Sequence, residues 1–571
     1  MLPIQTSYAS YLSELSELLV ESNFSTDGIN TLKRDIETTE LLIPVIGSFS
    51  AGKSSLLNTL LDQDILPVGI VPETELATEL RYADTPYILA IRKDEKIERF
   101  ETPQMDEIKS RASEFTHLKC YLNNKFLKSL EPLVLVDMPG FGSSLSNHNK
   151  AISYYLPRGV FFLVLVSVEE GSLTNSMLRQ LSELQSFKRD FMLLVSKANL
   201  RSEHEVQEVV NLLQDQVAVD FSKNHTVTSV GMNESKKIIQ LLSQIYPDQI
   251  FKSLFEHQLI NNFHSLIDSI NFSKMALDKP DDISRSSIKN LEMALKKLED
   301  DQKEMTDSLD KQHAYGVTER CISYIGMHLN RSLEELARLV IKGNQELFSA
   351  EISEIIRVRL SEKLQEEIKG VSKIAVDDFS VMLKSIHADC DDDGVSTEWV
   401  SGLSSRIESS LDKVSVVSSR FEGIIKDKIA KEEKINGTFK AVATILAVTT
   451  SVIAPAIELM IIFLPEIVKL INKAGQQERT QNKIQSEVIP QIKAKLRPVI
   501  LALTTEKLGN LVQDISQSFE SEISEKMEVL QKMEREREQK QFDVETAKTD
   551  LKQLEDSIYQ LFNATLQPKK V

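Results

Sequence analysis

The chain has 571 residues, more than one hydrophobic core usually organises, so several domains are expected. With 41% hydrophobic and 27% charged residues it reads as a soluble globular protein, and a formal net charge of -18 argues against nucleic acid as a main partner, since phosphate backbones are held by clustered Lys and Arg. Cys120, Cys321 and Cys390 are odd in number and far apart, which excludes a disulfide framework or a CxxC zinc site and fits a reducing compartment.

The opening stretch MLPIQTSYASYLSELSELLV lacks a basic segment followed by an apolar one, so no secretory signal is expected and a cytoplasmic location is the default. Residues 9–35 have a helical pattern, and residues 1–35 are expected to join a helical bundle made by the far end of the chain. Between 36 and 248, apolar runs alternate with helical patterns such as SSLLNTLL and EVQEVVNLLQDQV. The runs LLIPVI (41–46), LATELRYA (76–83), YILAIRK (87–93), PLVLVD (132–137), GVFFLVLVSV (159–168), FMLLVS (191–196) and TVTSV (226–230) predict strands. Alternation of this kind, with several strands apolar on both faces, predicts an α/β domain with a mostly parallel sheet. Its ligand belongs beyond the carboxyl ends of the strands.

GSFSAGKS directly follows the first of these strands and fits G-x-x-x-x-G-K-[ST] at Gly47, Gly52, Lys53 and Ser54. Phosphate oxygens need many donors at close range. A glycine-bearing loop supplies backbone N–H groups and the following helix adds its positive end. The whole loop (Gly47, Ser48, Phe49, Ser50, Ala51, Gly52, Lys53, Ser54, Ser55) is thus a candidate phosphate cradle, with Lys53 on the β- and γ-phosphates and the Ser54 hydroxyl on Mg²⁺. LVLVDMPG (133–140) is a strand ending in D-x-P-G, where Asp137 would hold Mg²⁺ through water and the Gly140 N–H would sense the γ-phosphate. LPVGIVPETELAT (66–78) is a loop whose Thr74 is expected to close on Mg²⁺ and the γ-phosphate.

GSFSAGKSS, LPVGIVPETELAT, DMPGFG and SKAN, in that order and followed by long helices, resemble a dynamin-superfamily GTPase of the bacterial dynamin-like branch, over roughly residues 40–235. The resemblance implies GTP as substrate, Mg²⁺ as cofactor and a monovalent cation near Ser50, which corresponds to the serine that positions the catalytic water. It makes Ser50, Lys53 and Thr74 the catalytic candidates. Phe49 stands where eukaryotic dynamins have a water-orienting glutamine. The base is expected at Ser196, Lys197 and Asn199, but Asn199 replaces an aspartate whose carboxylate accepts from two guanine donors. An amide offers one acceptor oxygen, a loss of about 1.5–3 kcal/mol. The implied partners are a membrane surface, a second GTPase domain of the same chain, or a second dynamin-like protein, with peripheral membrane association.

From about 249 to 571 the strand pattern stops and a long all-α stalk is expected. Ile288, Leu291, Leu295, Leu298, Met305 and Leu309 follow heptad spacing, as do Val544, Ala547, Leu551, Leu554, Ile558 and Leu561. Over such lengths an intramolecular antiparallel bundle is preferred to a dimeric coiled coil. AVATILAVTTSVIAPAIELMIIFL (441–464) has one charged residue, Glu458, and a central Pro455. Its apolar residues favour insertion by ~5 kcal/mol, a central carboxylate costs ~3 kcal/mol, and the proline worsens a straight span. Split at Pro455, the arms suit a hairpin dipping into one leaflet. Lys426, Lys428, Lys431, Lys434, Lys440, Lys469 and Lys473 make its flanks locally basic. Residues 437–475 are therefore the expected membrane tip, with Ile453, Pro455, Ile457, Met460, Ile461, Ile462, Phe463 and Leu464 at its centre. The competing reading buries this segment in the bundle core.

DCDDDG (389–394) opens like an EF-hand loop, but its twelfth position is Val400 rather than Glu, so an acidic turn is expected. The preferred reading is a GTPase whose cycle moves a helical stalk and works on membranes. Its rivals are a membrane scaffold that binds nucleotide with little hydrolysis, and a soluble coiled-coil NTPase with an ordinary helical core.

Overall fold

The computed structural model describes residues 1–571 apart from 23, 49, 68–75, 95, 141–150, 153, 157, 222–224, 232–234, 279–280, 309–312, 391–396, 413–451, 461, 465–476, 539–543 and 567–571. One sheet is built from β1 (Leu41–Gly47), β2 (Ala77–Tyr82), β3 (Tyr87–Arg92), β4 (Ile97–Phe100), β5 (Phe115–Leu122), β6 (Leu133–Asp137), β7 (Phe161–Ser167), β8 (Asp190–Ser196) and β9 (Val227–Ser229). Its order is β4-β3-β5-β2-β6-β1-β7-β8-β9. β1 lies at the centre, parallel to β6 on one side and β7 on the other. Ile43, Val45, Leu135, Val136 and Leu165 are fully buried there, as strands covered on both faces require.

All seven expected strands are present, and β4 and β5 are additional. The sheet is mixed: β2 runs antiparallel to β6, and β3 antiparallel to both β4 and β5. β5, FTHLKCYL, alternates buried and more exposed positions, the pattern of a strand nearer a sheet edge. The antiparallel turn of β2 has a consequence for the site. Thr78 pairs with Asp137, so the chain enters β2 at the edge where β6 ends.

Beyond the sheet the described chain is helical. Helix Pro3–Glu21 packs on helix Asp27–Thr38 and on the far end of the chain, helix Val544–Leu566, which lies along helix Pro247–Asp278. The rings of Phe263 and Phe562 stack at 3.8 Å between centroids. Helices Asp281–Ser308, Ala314–Arg331 and Gln345–Cys390 gather around the long helix Ile489–Glu538. The apolar stripes therefore find partners within the same chain. Leu291 and Leu298 are fully buried, and Ile288, Leu295 and Met305 pack against them, while Leu309 lies outside the described residues. In the last helix the buried set is Leu554, Ile558, Phe562 and Leu566, with Leu551 and Leu561 only partly covered. Four-residue spacing suits a helix lying in a groove between two others better than one supercoiled on a single partner.

Of the segment 441–464, residues 452–460 and 462–464 are described, and all are helical. The helix runs on through Pro455, where the sequence suggests a hairpin turn. Ile453, Ile457, Met460 and Leu464 are buried in the core, whereas Ile462 is 70% exposed. Phe463 and Pro455 are half-buried, and the Lys495 ammonium lies 4.1 Å from the Phe463 ring centroid. Ile461 lies outside the described residues, as do the DCDDDG turn from Asp391 onward and all seven lysines of the basic flank. Among the described residues no helix is long and apolar enough to cross a membrane.

The helix Asn175–Ser186, which follows β7, joins the sheet to the helical region through buried charge. Arg357 on helix Gln345–Cys390 is paired with Glu183, and both side chains are almost wholly buried. Arg179 pairs with Glu351, and its Nε donates to Glu354 at 3.2 Å. The Ser176 hydroxyl also reaches Glu354, at 2.7 Å. Breaking a buried pair from one side strands the other charge. Arg357→Leu alone is expected to cost about 3–5 kcal/mol in chemical denaturation, and adding Glu183→Leu to recover most of that loss. Equal losses for the single and double variants would show that the pair does not hold this junction.

Candidate nucleotide phosphate site

The candidate cradle sits at the carboxyl end of β1. The parallel registers place Val45 beside Asp137 on one side and Leu163 on the other, with Gly47 beside Leu165. A Cβ on Gly47 would lie 2.4 Å from the Leu165 carbonyl oxygen, so only glycine lets the two strands approach here. Gly52 has φ +81°, a left-handed conformation, with open space where a side chain would stand. From it the chain turns into helix Lys53–Leu61, whose N-terminal end faces the loop.

Lys53 is only 5% exposed, and its Nζ donates to the carbonyls of Gly47 at 3.1 Å and Ser48 at 2.9 Å. Burial pulls its pKa down to about 8, while the charges of Asp137 and Glu170 act the other way. The Ser54 hydroxyl donates to Asp137 Oδ2 at 2.7 Å. Asp137 is fully buried, and that burial pushes its carboxyl up to about 6 against the pull of Ser54 and Lys53. Its other oxygen, Oδ1, has no hydrogen-bond partner, and neither do the buried Ser48 Oγ and Glu170 Oε2. Leaving a buried acceptor unsatisfied costs on the order of 1–3 kcal/mol. A hard cation with its water shell, beside a serine hydroxyl and a carboxylate, fits this donor set. Ser54 and Asp137 are the residues that would hold Mg²⁺.

The second wall comes from β7 and β8. The Ser196 hydroxyl, at the end of β8, donates to the Ala51 carbonyl at 2.6 Å and ties that strand to the phosphate loop. Lys197 follows in a left-handed conformation, φ 56°, and its Nζ bonds Glu169 Oε2 at 2.9 Å. Its ammonium is thus held by a carboxylate. Asn199 is exposed in the short 3₁₀ turn Ala198–Leu200. Ser50 is exposed on the loop, Ser55 half-buried, and Gly140 buried just past β6. Phe49 and Thr74 lie outside the described residues.

Glu169 and Glu170 enter the site without having been expected. Their signal was available in the sequence: two carboxylates directly after a buried parallel strand, at the edge where α/β sheets bind ligands. Among the described residues no group of three or more His, Cys, Asp or Glu could hold a metal ion.

Residues 43–198 match the dynamin family. Dynamin-like protein 2 of Campylobacter jejuni is 35% identical over 141 residues, 23% of this chain and 22% of that protein. Dynamin-like protein 1 of the same organism is 24% identical over 351 residues, 54% of this chain and 47% of that protein. The matched stretches thus span less than half the length of either relative. A solved chain from an oligomerised bacterial dynamin pair, described as providing a mechanism for the long range sensing and tethering of membranes, is 13% identical; the match covers 97% of this chain and 95% of that one, with a TM-score of 0.32.

Gly47→Ala sets the added methyl against the Leu165 carbonyl, so β1 and β7 must part at the root of the loop. The expected result is a melting temperature several degrees lower together with loss of nucleotide binding. A variant that melts like wild type would show that the strands have slack here.

Proposed function

We propose that this chain, a dynamin-like protein whose residues 43–198 are of the dynamin family, binds and hydrolyses GTP with Mg²⁺ and couples the cycle to work on membranes. One observation carries the nucleotide part: Lys53, Ser54 and Asp137 converge at the carboxyl edge of the central strands, with a buried carboxylate oxygen still unsatisfied. When bound, Mg²⁺ supplies charge neutralisation and a fixed geometry for the phosphate oxygens. The chain contributes the rest. Lys53 transfers from the Gly47 and Ser48 carbonyls to phosphate oxygens, where its charge offsets the negative charge of the transition state. Ser54 orients the Asp137 carboxylate, Ser50 positions the attacking water, and Thr74 closes from the segment that leads into β2.

The helix Asn175–Ser186 supports a coupling route in this proposal. It begins eight residues after β7, whose end carries Glu169 and Glu170, and it is fastened to the helical region by Arg357–Glu183 and by Arg179 with Glu351 and Glu354. A change at the phosphate loop would reach the stalk through that element. Pairing of two such domains, from a second copy or a second dynamin-like protein, belongs to the same proposal.

Titration calorimetry with GTP, GDP and ATP at equal Mg²⁺ is expected to show GTP binding that Lys53→Ala abolishes. Preference over ATP should be modest, because Asn199 offers one acceptor where aspartate offers two. Phosphate release with liposomes present should exceed that of Lys53→Ala. If the two release phosphate equally slowly, the enzyme reading fails.

Residues 453–464 are the proposed membrane-facing tip, and the burial of Ile453, Ile457, Met460 and Leu464 favours the second reading, in which this helix is ordinary core. Ile462 separates them, being exposed two residues beyond the buried Met460. Ile462→Glu is expected to reduce liposome flotation while leaving the melting temperature unchanged. Flotation as strong as wild type would assign the helix to the core alone.

A further inference from the structure

A cavity of about 490 Å³ lies where the helix Asn175–Ser186 meets the helical region. Arg179 and Ser182 line it from the first side, and His328, Arg331, Arg338 and Arg359 from the second. Four guanidinium groups thus share one cleft in a chain of net charge -18, against only Glu334 and Glu335 among the lining carboxylates.

Carboxylates pair three of these guanidiniums and leave Arg331. Arg338 is committed to Glu334, and Arg179 to Glu351 and Glu354 outside the cleft. Arg359 bonds Glu362 through Nη1 at 2.6 Å, yet its buried Nε has no hydrogen-bond partner. Arg331 has no carboxylate within ion-pair distance among the described residues. At His328 burial, and after it the charges of Arg359 and Arg331, hold the pKa down at about 4, with the Tyr324 ring packed edge-on 4.6 Å away.

We propose that this cleft is a second anion site, distinct from the phosphate loop, that takes a small phosphate-bearing ligand on Arg331 and Arg359. Guanidinium forks match phosphate oxygens in pairs. The volume accommodates a diphosphate with room for a small substituent. Because its walls come from both sides of the junction, an occupant holds the sheet domain against the helices. The phosphate could be free or the headgroup of a lipid, and the chemistry recognised is the same.

The test uses the full chain carrying Lys53→Ala, which removes the phosphate loop as a competitor and makes the outcome independent of GTP binding. Titration calorimetry with inorganic pyrophosphate reads the free source, and flotation with phosphatidylcholine vesicles containing phosphatidic acid reads the headgroup. Binding in either arm is expected to weaken about ten- to a hundredfold with Arg331→Ala, the loss of one charge-assisted contact. Arg331→Lys should recover part of it, keeping the charge without the fork. Arg331 is exposed, so folding should be untouched, and the His328 ring resonances should shift with pyrophosphate in the parent and not in Arg331→Ala. No binding of either probe to the Lys53→Ala chain, or equal binding with Arg331→Ala, overturns the proposal.

Discussion

A carboxylate with no exposed surface, bonded through one oxygen and orphaned at the other, is an expensive thing to fold around. Asp137 is that group, and the sheet is arranged so that it can exist. β6 carries it to the carboxyl edge, the parallel register with β1 sets it beside Val45, and the helix after the phosphate loop brings the Ser54 hydroxyl to Oδ2. Lys53 lies within range to oppose the burial penalty, yet is itself held by two carbonyls of the loop. Each of these groups is charged or polar and largely dehydrated, so each depends on the others for its ionised form. A divalent cation and a polyphosphate would satisfy them together, and the energy otherwise spent on desolvation becomes binding energy.

The same dependence extends outward. Ser196 fixes the end of β8 to the loop through the Ala51 carbonyl, and Lys197 fixes it to Glu169 at the end of β7. The helix following β7 then meets the stalk across a junction of ions rather than of apolar surface alone. Glu183, Glu351 and Glu354 share Arg179 and Arg357, three carboxylates to two guanidiniums. Burial pushes both Glu183 and Glu351 above the usual carboxylate range, the latter to about 7. A junction held this way is geometrically specific, since every misalignment strands a charge, but it is not strongly favourable relative to an apolar one. That combination suits a joint with defined positions better than a permanent seal.

Much of this was legible in the sequence, and the gaps have physical causes. The strands read correctly wherever they are buried on both faces, because uninterrupted apolar runs leave little ambiguity. β4 and β5 lie toward an edge, where polar alternation blurs into loop, and they went unread. The loop glycines and Lys53, Ser54 and Asp137 stood out as candidates because few residue types suit phosphate chemistry, and the fold brings them together. Glu169 and Glu170 did not stand out, since a pair of acids after a strand is common and only the fold sets them beside the loop. The ion pairs of the junction join residues more than 170 positions apart, a pairing no local pattern encodes. Phe562 and Leu566 were missed for a different reason: heptad spacing presumes one partner helix, and this helix has two.

The apolar residues 452–460 and 462–464 show how strongly the choice of solvent governs a reading of hydrophobicity. Sequence sees only that these residues avoid water, and a bundle core and a lipid leaflet satisfy that equally. With Val452, Ile453, Ile457, Met460 and Leu464 all buried, moving the helix into water would cost on the order of 10 kcal/mol at about 1.5–3 kcal/mol for each side chain. No switch of ordinary size supplies that. Moving it from the core into lipid returns most of the loss, because hydrocarbon tails replace the apolar neighbours it leaves. For a segment with Ile453, Ile457, Met460 and Leu464 in the core and Ile462 exposed, hydrophobicity alone does not choose between the two solvents.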